Sequence, residues 1–159
     1  MTNIGPSFSR RVMLQGAGSV ALIGFGLSAM PALAAANDKY PEDAFKQKSD
    51  ADAIKALYGK TAEASDKVKL DAPEIAENGA VVPVAVATTL TGVTSISFFV
   101  SENPNALAAS YVIVEGTVPS VANRLKMQKT SNVIAIVESE GKLFSAAKEV
   151  KVTVGGCGG

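Results

Sequence analysis

Residues 82–87 read Val82-Pro83-Val84-Ala85-Val86-Ala87, a branched side chain at every second position. Period two is the signature of a strand with one buried face. The same beat recurs on either side. Ile96, Phe98 and Val100 alternate with Ser95, Ser97, Phe99 and Ser101. Val121, Leu125 and Met127 alternate with Arg124, Lys126 and Gln128, and Ile134 and Ile136 with Val133, Ala135 and Val137. Val150, Val152 and Val154 alternate with Lys151 and Thr153. Turn chemistry punctuates the runs: Glu77-Asn78-Gly79, Thr91-Gly92, Glu102-Asn103-Pro104-Asn105, Glu115-Gly116 and Glu140-Gly141-Lys142. Six or seven short, regularly punctuated strands predict an antiparallel β-sandwich over 67–154. Pro83 cannot donate to a ladder on both sides, so it predicts an edge or a strand start.

Upstream, residues 35–66 form the helical segment. Pro41 suits a first-turn position, and Glu42 and Asp43 complement the positive end of the helix dipole. Ala44, Phe45, Ala51, Ile54, Leu57 and Tyr58 make a rough helical stripe within 37–64, with Ser49-Asp50 as a possible break.

Residues 1–34 read as a leader. Ser9-Arg10-Arg11-Val12-Met13-Leu14 precedes an uncharged run from Gly16 to Met30, then Pro31-Ala32-Leu33-Ala34-Ala35-Ala36 with its Ala-x-Ala pattern. Arg10 and Arg11 fit a twin-arginine signal, which exports folded proteins. Gly16, Gly18, Gly24 and Gly26 lower the hydrophobicity, in keeping with that route. Cleavage after Ala34 or Ala36 predicts an exported, periplasmic protein. Of 159 residues, 15 are basic and 15 acidic; removing Arg10 and Arg11 leaves 13 against 15. There is no basic run, so nucleic-acid binding has no electrostatic support.

The chain has no histidine and one cysteine. Ser-His-Asp triads, Cys-His pairs and His-bearing metal sites are excluded. Glu138 and Glu140 stand at strand spacing, but such a pair more often marks a solvated strand end than an acid–base couple. No cofactor is expected, and the chain reads as something acted upon, not as an enzyme.

The cysteine sits in Gly155-Gly156-Cys157-Gly158-Gly159. Glycine offers nothing to bury and loses much freedom on ordering, so 155–159 is expected to be a flexible, slender arm leaving the last strand. An exposed thiol in an oxidising compartment invites mixed disulfides. The residues leave several readings open: an incidental tail, an intermolecular disulfide holding a structural dimer, or a carrier thiol holding a substrate covalently. Prenylation fails, because Cys157 is third from the end and is followed by Gly-Gly. A ubiquitin-like carrier, acting through a terminal Gly-Gly carboxylate, is a further alternative. No cation neighbours Cys157 in sequence, so its thiol should titrate near the ordinary value of about 8.5 and be activated within partner sites. Alkylation against pH tests this; titration well below 7 refutes it.

Val152-Thr153-Val154-Gly155-Gly156-Cys157-Gly158-Gly159, the stretch Asp71-Ala72-Pro73-Glu74-Ile75-Ala76-Glu77-Asn78-Gly79-Ala80-Val81-Val82-Pro83-Val84 and the twin-arginine leader together resemble the SoxY family of periplasmic sulfur carriers. The resemblance covers essentially the whole chain. It implies an immunoglobulin-like sandwich paired with a SoxZ-like subunit as a heterodimer. SoxZ lacks its own leader in that family, which accounts for export in the folded state. It also implies that Cys157 holds thiosulfate-derived intermediates. A haem thiosulfate-coupling enzyme would load the thiol, a sulfate-releasing hydrolase would cleave the adduct, and a molybdenum sulfane dehydrogenase would oxidise what remains. None of their cofactors is implied for this chain. For the partner-facing surface, Ile96, Phe98 and Phe99 and the Tyr111–Val114 strand are the candidates, although burial in the core is the commoner fate of such side chains. Arg124, the only arginine after cleavage, either docks an acidic partner or faces solvent.

Overall fold

The valine alternation at 82–86 has one buried face, as period two demands. In the computed structural model, which describes residues 40–153, Val82, Val84 and Val86 are buried while Pro83 and Ala87 are exposed. Two helices come first, α1 (Glu42–Lys46) and α2 (Asp50–Tyr58). Nine strands follow among the described residues: β1 (Glu63–Ala64), β2 (Val68–Asp71), β3 (Ile75–Ala76), β4 (Val82–Thr88), β5 (Val93–Val100), β6 (Leu107–Val112), β7 (Ser120–Leu125), β8 (Ser131–Ser139) and β9 (Lys142–Val152). Seven of them exceed two residues, which matches the expected number; the two shortest have no readable period.

The strands form two sheets. One has the order β2-β4-β7; the other runs β1-β9-β8-β5-β6, with β3 also paired to β9. The first holds the A, B and E positions of an immunoglobulin-like sandwich. The second holds G, F and C, with β6 as an added strand beside C. Between the sheets, Val82, Val84 and Val86 meet Ile96, Phe98 and Val100 of β5 and Val133, Ala135 and Val137 of β8; Leu125, Met127 and Val150 close the core. Each such side chain contributes roughly 1.5–3 kcal/mol on burial, most of it offset by lost conformational entropy.

The larger sheet is covered on its other face as well. Phe99, Ile136 and Leu143 pack there with Ala44, Ala53, Ala106 and Leu107, flanked by Ile54, Leu57 and Tyr58 of α2. This second burial explains the unbroken apolar runs Phe98-Phe99-Val100 in β5 and Val133-Ile134-Ala135-Ile136-Val137 in β8. The anchoring polar contact is Tyr58, whose hydroxyl is 2.7 Å from Ser97 Oγ and 3.1 Å from Ser95 Oγ. Ser97 in turn donates to Ser110 at 2.8 Å.

The single helix expected over 37–64 is two helices, interrupted at Gln47–Ser49, close to the anticipated break. Ser49 caps α2 by accepting from the Asp52 amide at 3.3 Å. Gly59, at φ 66°, ends it in the left-handed conformation, and Glu63–Ala64 is already strand. The helical segment therefore stops well before residue 66. Pro41 lies at the N-cap, one position before the expected first turn, whereas Glu42 and Asp43 occupy that turn as anticipated. Pro83 sits where β4 begins. The β2–β4 ladder runs only from Ala85 to Thr88, so the missing amide of Pro83 leaves no ladder bond to β2 unmade.

Candidate functional site

The sequence assigns the chemistry to Cys157 on Gly155, Gly156, Gly158 and Gly159, and export to Arg10 and Arg11. These residues, and Val154, lie outside the described residues. The structure follows the chain to Thr153, four positions before the thiol, and defines the base from which the expected arm would depart.

That base is bonded on both edges. Along one side β9 pairs antiparallel with β8, from Ser139↔Lys142 to Ser131↔Val150. Along the other it pairs in parallel with two short strands, β1 at Phe144 and Ser145 and β3 at Lys151 and Val152. Near the end the bonds crowd together. Lys151 N donates to Glu74 O at 2.9 Å, and Thr153 N to Ala76 O at 3.1 Å. Thr153 Oγ1 donates to Glu77 O at 3.1 Å, and Val152 N to Thr130 Oγ1 at 3.0 Å. Lys148 Nζ reaches the Ala72 carbonyl at 2.5 Å. Val150 is fully buried beneath this collar.

The segment 71–79 is thus the wall beside the arm's root. After Glu77 it turns on Asn78, whose Oδ1 accepts from Ala80 N at 2.8 Å, and Gly79 O accepts from Met127 N at 2.7 Å. Period and spacing could not place it there, because a two-residue strand carries no periodic signal. Four residues of chain from Thr153 bring Cys157 to at most about 13–14 Å from the root.

The other candidates resolve separately. Glu138 accepts from Thr94 at 3.1 Å and Ser95 at 3.4 Å and lies 3.7 Å from Lys60 Nζ. Glu140 stands in the β8–β9 turn with Thr91 at 3.5 Å. Both lie where β8 turns into β9, at the far end of β9 from Thr153, and each is engaged with its own neighbours, as a structural strand end. Arg124 is exposed on β7, at a cavity of about 340 Å³ shared with Asp71, Pro73 and Pro83. Ile96, Phe98 and Phe99 are fully buried, which removes them as a partner-facing surface. The two phenylalanines fill opposite faces of one sheet. In the Tyr111–Val114 segment, by contrast, Val112 is 84 % exposed and Val114 63 %. Among the described residues no cluster of three or more His, Cys, Asp or Glu could hold a metal ion, and no helix is long and apolar enough to cross a membrane.

Comparison with known families decides what kind of chain this is. The model of the family "Sulfur oxidation protein SoxY" matches residues 54–157. The chain belongs to the SoxY family. That match begins within α2, contains the whole collar around β9 and ends at Cys157. The chain is also similar to the solved structure of the sulfur carrier protein SoxY from Chlorobium limicola f thiosulfatophilum. Identity is 44 %, over 65 % of this chain and 96 % of that one, with a TM-score of 0.60. A second solved structure, a lytic polysaccharide monooxygenase from Jonesia denitrificans, reaches 15 % identity over 46 % of this chain and 54 % of that one, at a TM-score of 0.36, and carries no argument. No curated protein matches. The SoxY fold is therefore present here as a two-sheet sandwich with two short helices on its N-terminal side.

Proposed function

We propose that this chain is a periplasmic sulfur carrier, not an enzyme, that holds thiosulfate-derived intermediates covalently on Cys157 and presents them to other enzymes. The observation that carries the reading is the SoxY family match running through Cys157, five residues beyond the end of β9 at Val152, a strand bonded on both edges. A firm root and a glycine-flanked thiol suit a group that must enter other proteins' sites while the body stays folded.

The chemistry balances with external oxidants. The Cys157 thiolate and the outer sulfur of thiosulfate form an S–S bond as two electrons leave to a haem thiosulfate-coupling enzyme. Water then cleaves the terminal S–S bond of the cysteine S-thiosulfonate in a sulfate-releasing hydrolase. Sulfate and two protons depart, and a persulfide anion remains on Cys157. A molybdenum sulfane dehydrogenase, where present, oxidises that sulfur for a second hydrolysis. This chain contributes the nucleophile, its positioning and its delivery. A SoxZ-like subunit accompanies it as a heterodimer, and Arg10 and Arg11 direct export of the folded pair by the twin-arginine route.

Intact mass spectrometry of the mature chain, after thiosulfate exposure with the partner enzymes, tests the proposal. Sulfane and thiosulfonate adducts on the C-terminal peptide are expected, and Cys157→Ser should abolish them. A protein–protein disulfide as the main product supports the structural dimer instead. Loading that survives Cys157→Ser supports a Gly-Gly carboxylate carrier.

A further inference from the structure

The edge strand β6 lacks the usual protection of an exposed edge. Natural edges are blunted by charges, proline or a covering element, yet residues 106–114 contain no charged residue and no proline. Among the described residues β6 pairs only with β5. One end is covered: Ala106 N donates to Gln47 O at 2.9 Å beside α1, and Ala106 and Leu107 are buried. The other half, Ser110–Val114, is open. Val112 and Val114 protrude there, and a turn in which Thr117 N donates to Val114 O brings in Val118, 80 % exposed. A groove of about 530 Å³, lined in part by Leu90, Val93, Ile113 and Pro119, adjoins them. Single exposed valines are ordinary; three on one short chain reversal beside a free ladder edge mark a contact surface.

We infer that Ser110–Val114, with Val118, is where a permanent partner subunit adds a strand to the larger sheet. This rests on the heterodimer reading above. Two observations select the occupant. From Val93 to Asn123 the only charges are Glu102 and Glu115, and Glu102 is paired with Lys129 at 2.7 Å. The β5–β6 hairpin of a second copy, residues 93–112, carries no cation to set against Glu115; a different subunit with apolar alternate residues and a lysine or arginine at that end would. The location also fits a stable companion. Val112 pairs with Ser95, beside the β8–β9 turn, whereas the arm leaves from the far end of the eleven-residue β9. At about 3.4 Å per residue the separation is roughly 35 Å. A subunit held there leaves the arm clear for visiting enzymes.

The test uses the mature chain and the purified SoxZ-like subunit. Val112→Lys combined with Val114→Lys should weaken the pair at least tenfold by isothermal titration, while Val81→Lys, exposed near the arm's root, should not. Amide exchange at 110–114 should slow at least tenfold in the complex, a readout that needs no variant. Unchanged affinity of the double variant, or unchanged exchange at these amides, overturns the surface and leaves the heterodimer standing. Absence of any binding by the wild-type chain overturns both. A homodimer of this chain, dissolved by the double variant, overturns the choice of occupant.

Discussion

Glu140 holds a backbone shape that its side chain does not favour. It has φ 50° and Gly141 has φ 74°, the two positive angles of a two-residue turn joining β8 to β9. Asparagine suits the first position better, so Glu140→Asn should stabilise the fold by up to about 1 kcal/mol, read as a higher urea midpoint at unchanged slope. Tyr58 works in the opposite sense. Burial raises its hydroxyl pKa above the ordinary value of 10.0; the hydrogen bonds with Ser95 and Ser97 pull it down, and the charge of Glu138 pushes it up again. The neutral phenol is the form the fold favours. Its contribution is complete below about pH 10, the unfolded value, and is lost as pH rises through the higher folded one. Tyr58→Phe should cost about 1–2 kcal/mol at neutral pH and remove this part of the alkaline decline, as urea melts across pH 8–11 would record. Cys157 was legible because it is the only cysteine among 159 residues. The Tyr58 contacts were not, because its two serine partners lie 37 and 39 positions away and no local pattern connects them.

Elements were legible in proportion to their length. Five of the seven longer strands declared themselves by period two, β2 and β6 being the exceptions, and Phe99, which broke the polar beat of β5, proved to be the residue that meets the helices. The break in the helical segment was visible at Ser49 because serine is a capping residue; Gly59 was the overlooked stop. The collar around β9 was not readable, since β1 and β3 gain their form only by lying against a longer strand. If that collar is what steadies the root, the amides of Lys151, Val152 and Thr153 should exchange as slowly as those in the middle of β9. Thr130→Val should then speed exchange at Val152 selectively, by nuclear magnetic resonance. The arm's reach can be tested in the same spirit. Deleting Gly155 and Gly156 removes roughly 7 Å of maximal extension. Enzymatic sulfur loading should fall at least tenfold, while labelling by a small alkylating reagent stays unchanged.

The described residues, 40–153, form three layers: helices, the larger sheet and the smaller sheet. The middle layer is buried on both faces, so it carries most of the stability. Phe98, edge-on to Tyr111 with ring centroids 6.3 Å apart, lies between the sheets, and Phe98→Ala should cost about 3–5 kcal/mol. That is a large share of the roughly 5–15 kcal/mol that such a domain has. Thermal melts of this variant and of the exposed Val112→Thr should differ sharply, the second staying near wild type. β9 belongs to this middle layer, and its place there has a mechanical side. Under the proposed function, a partner that gripped Cys157 and drew it away from the body would pull along the axis of β9. The interstrand bonds of an antiparallel pair lie across that axis, and β9 has nine register pairs to β8 and four more to β1 and β3. Tension therefore loads the ladder in shear, spread over many bonds at once, instead of peeling them open one by one. The strand can serve as a tow-line whose fastening stays fast while its free end is handled.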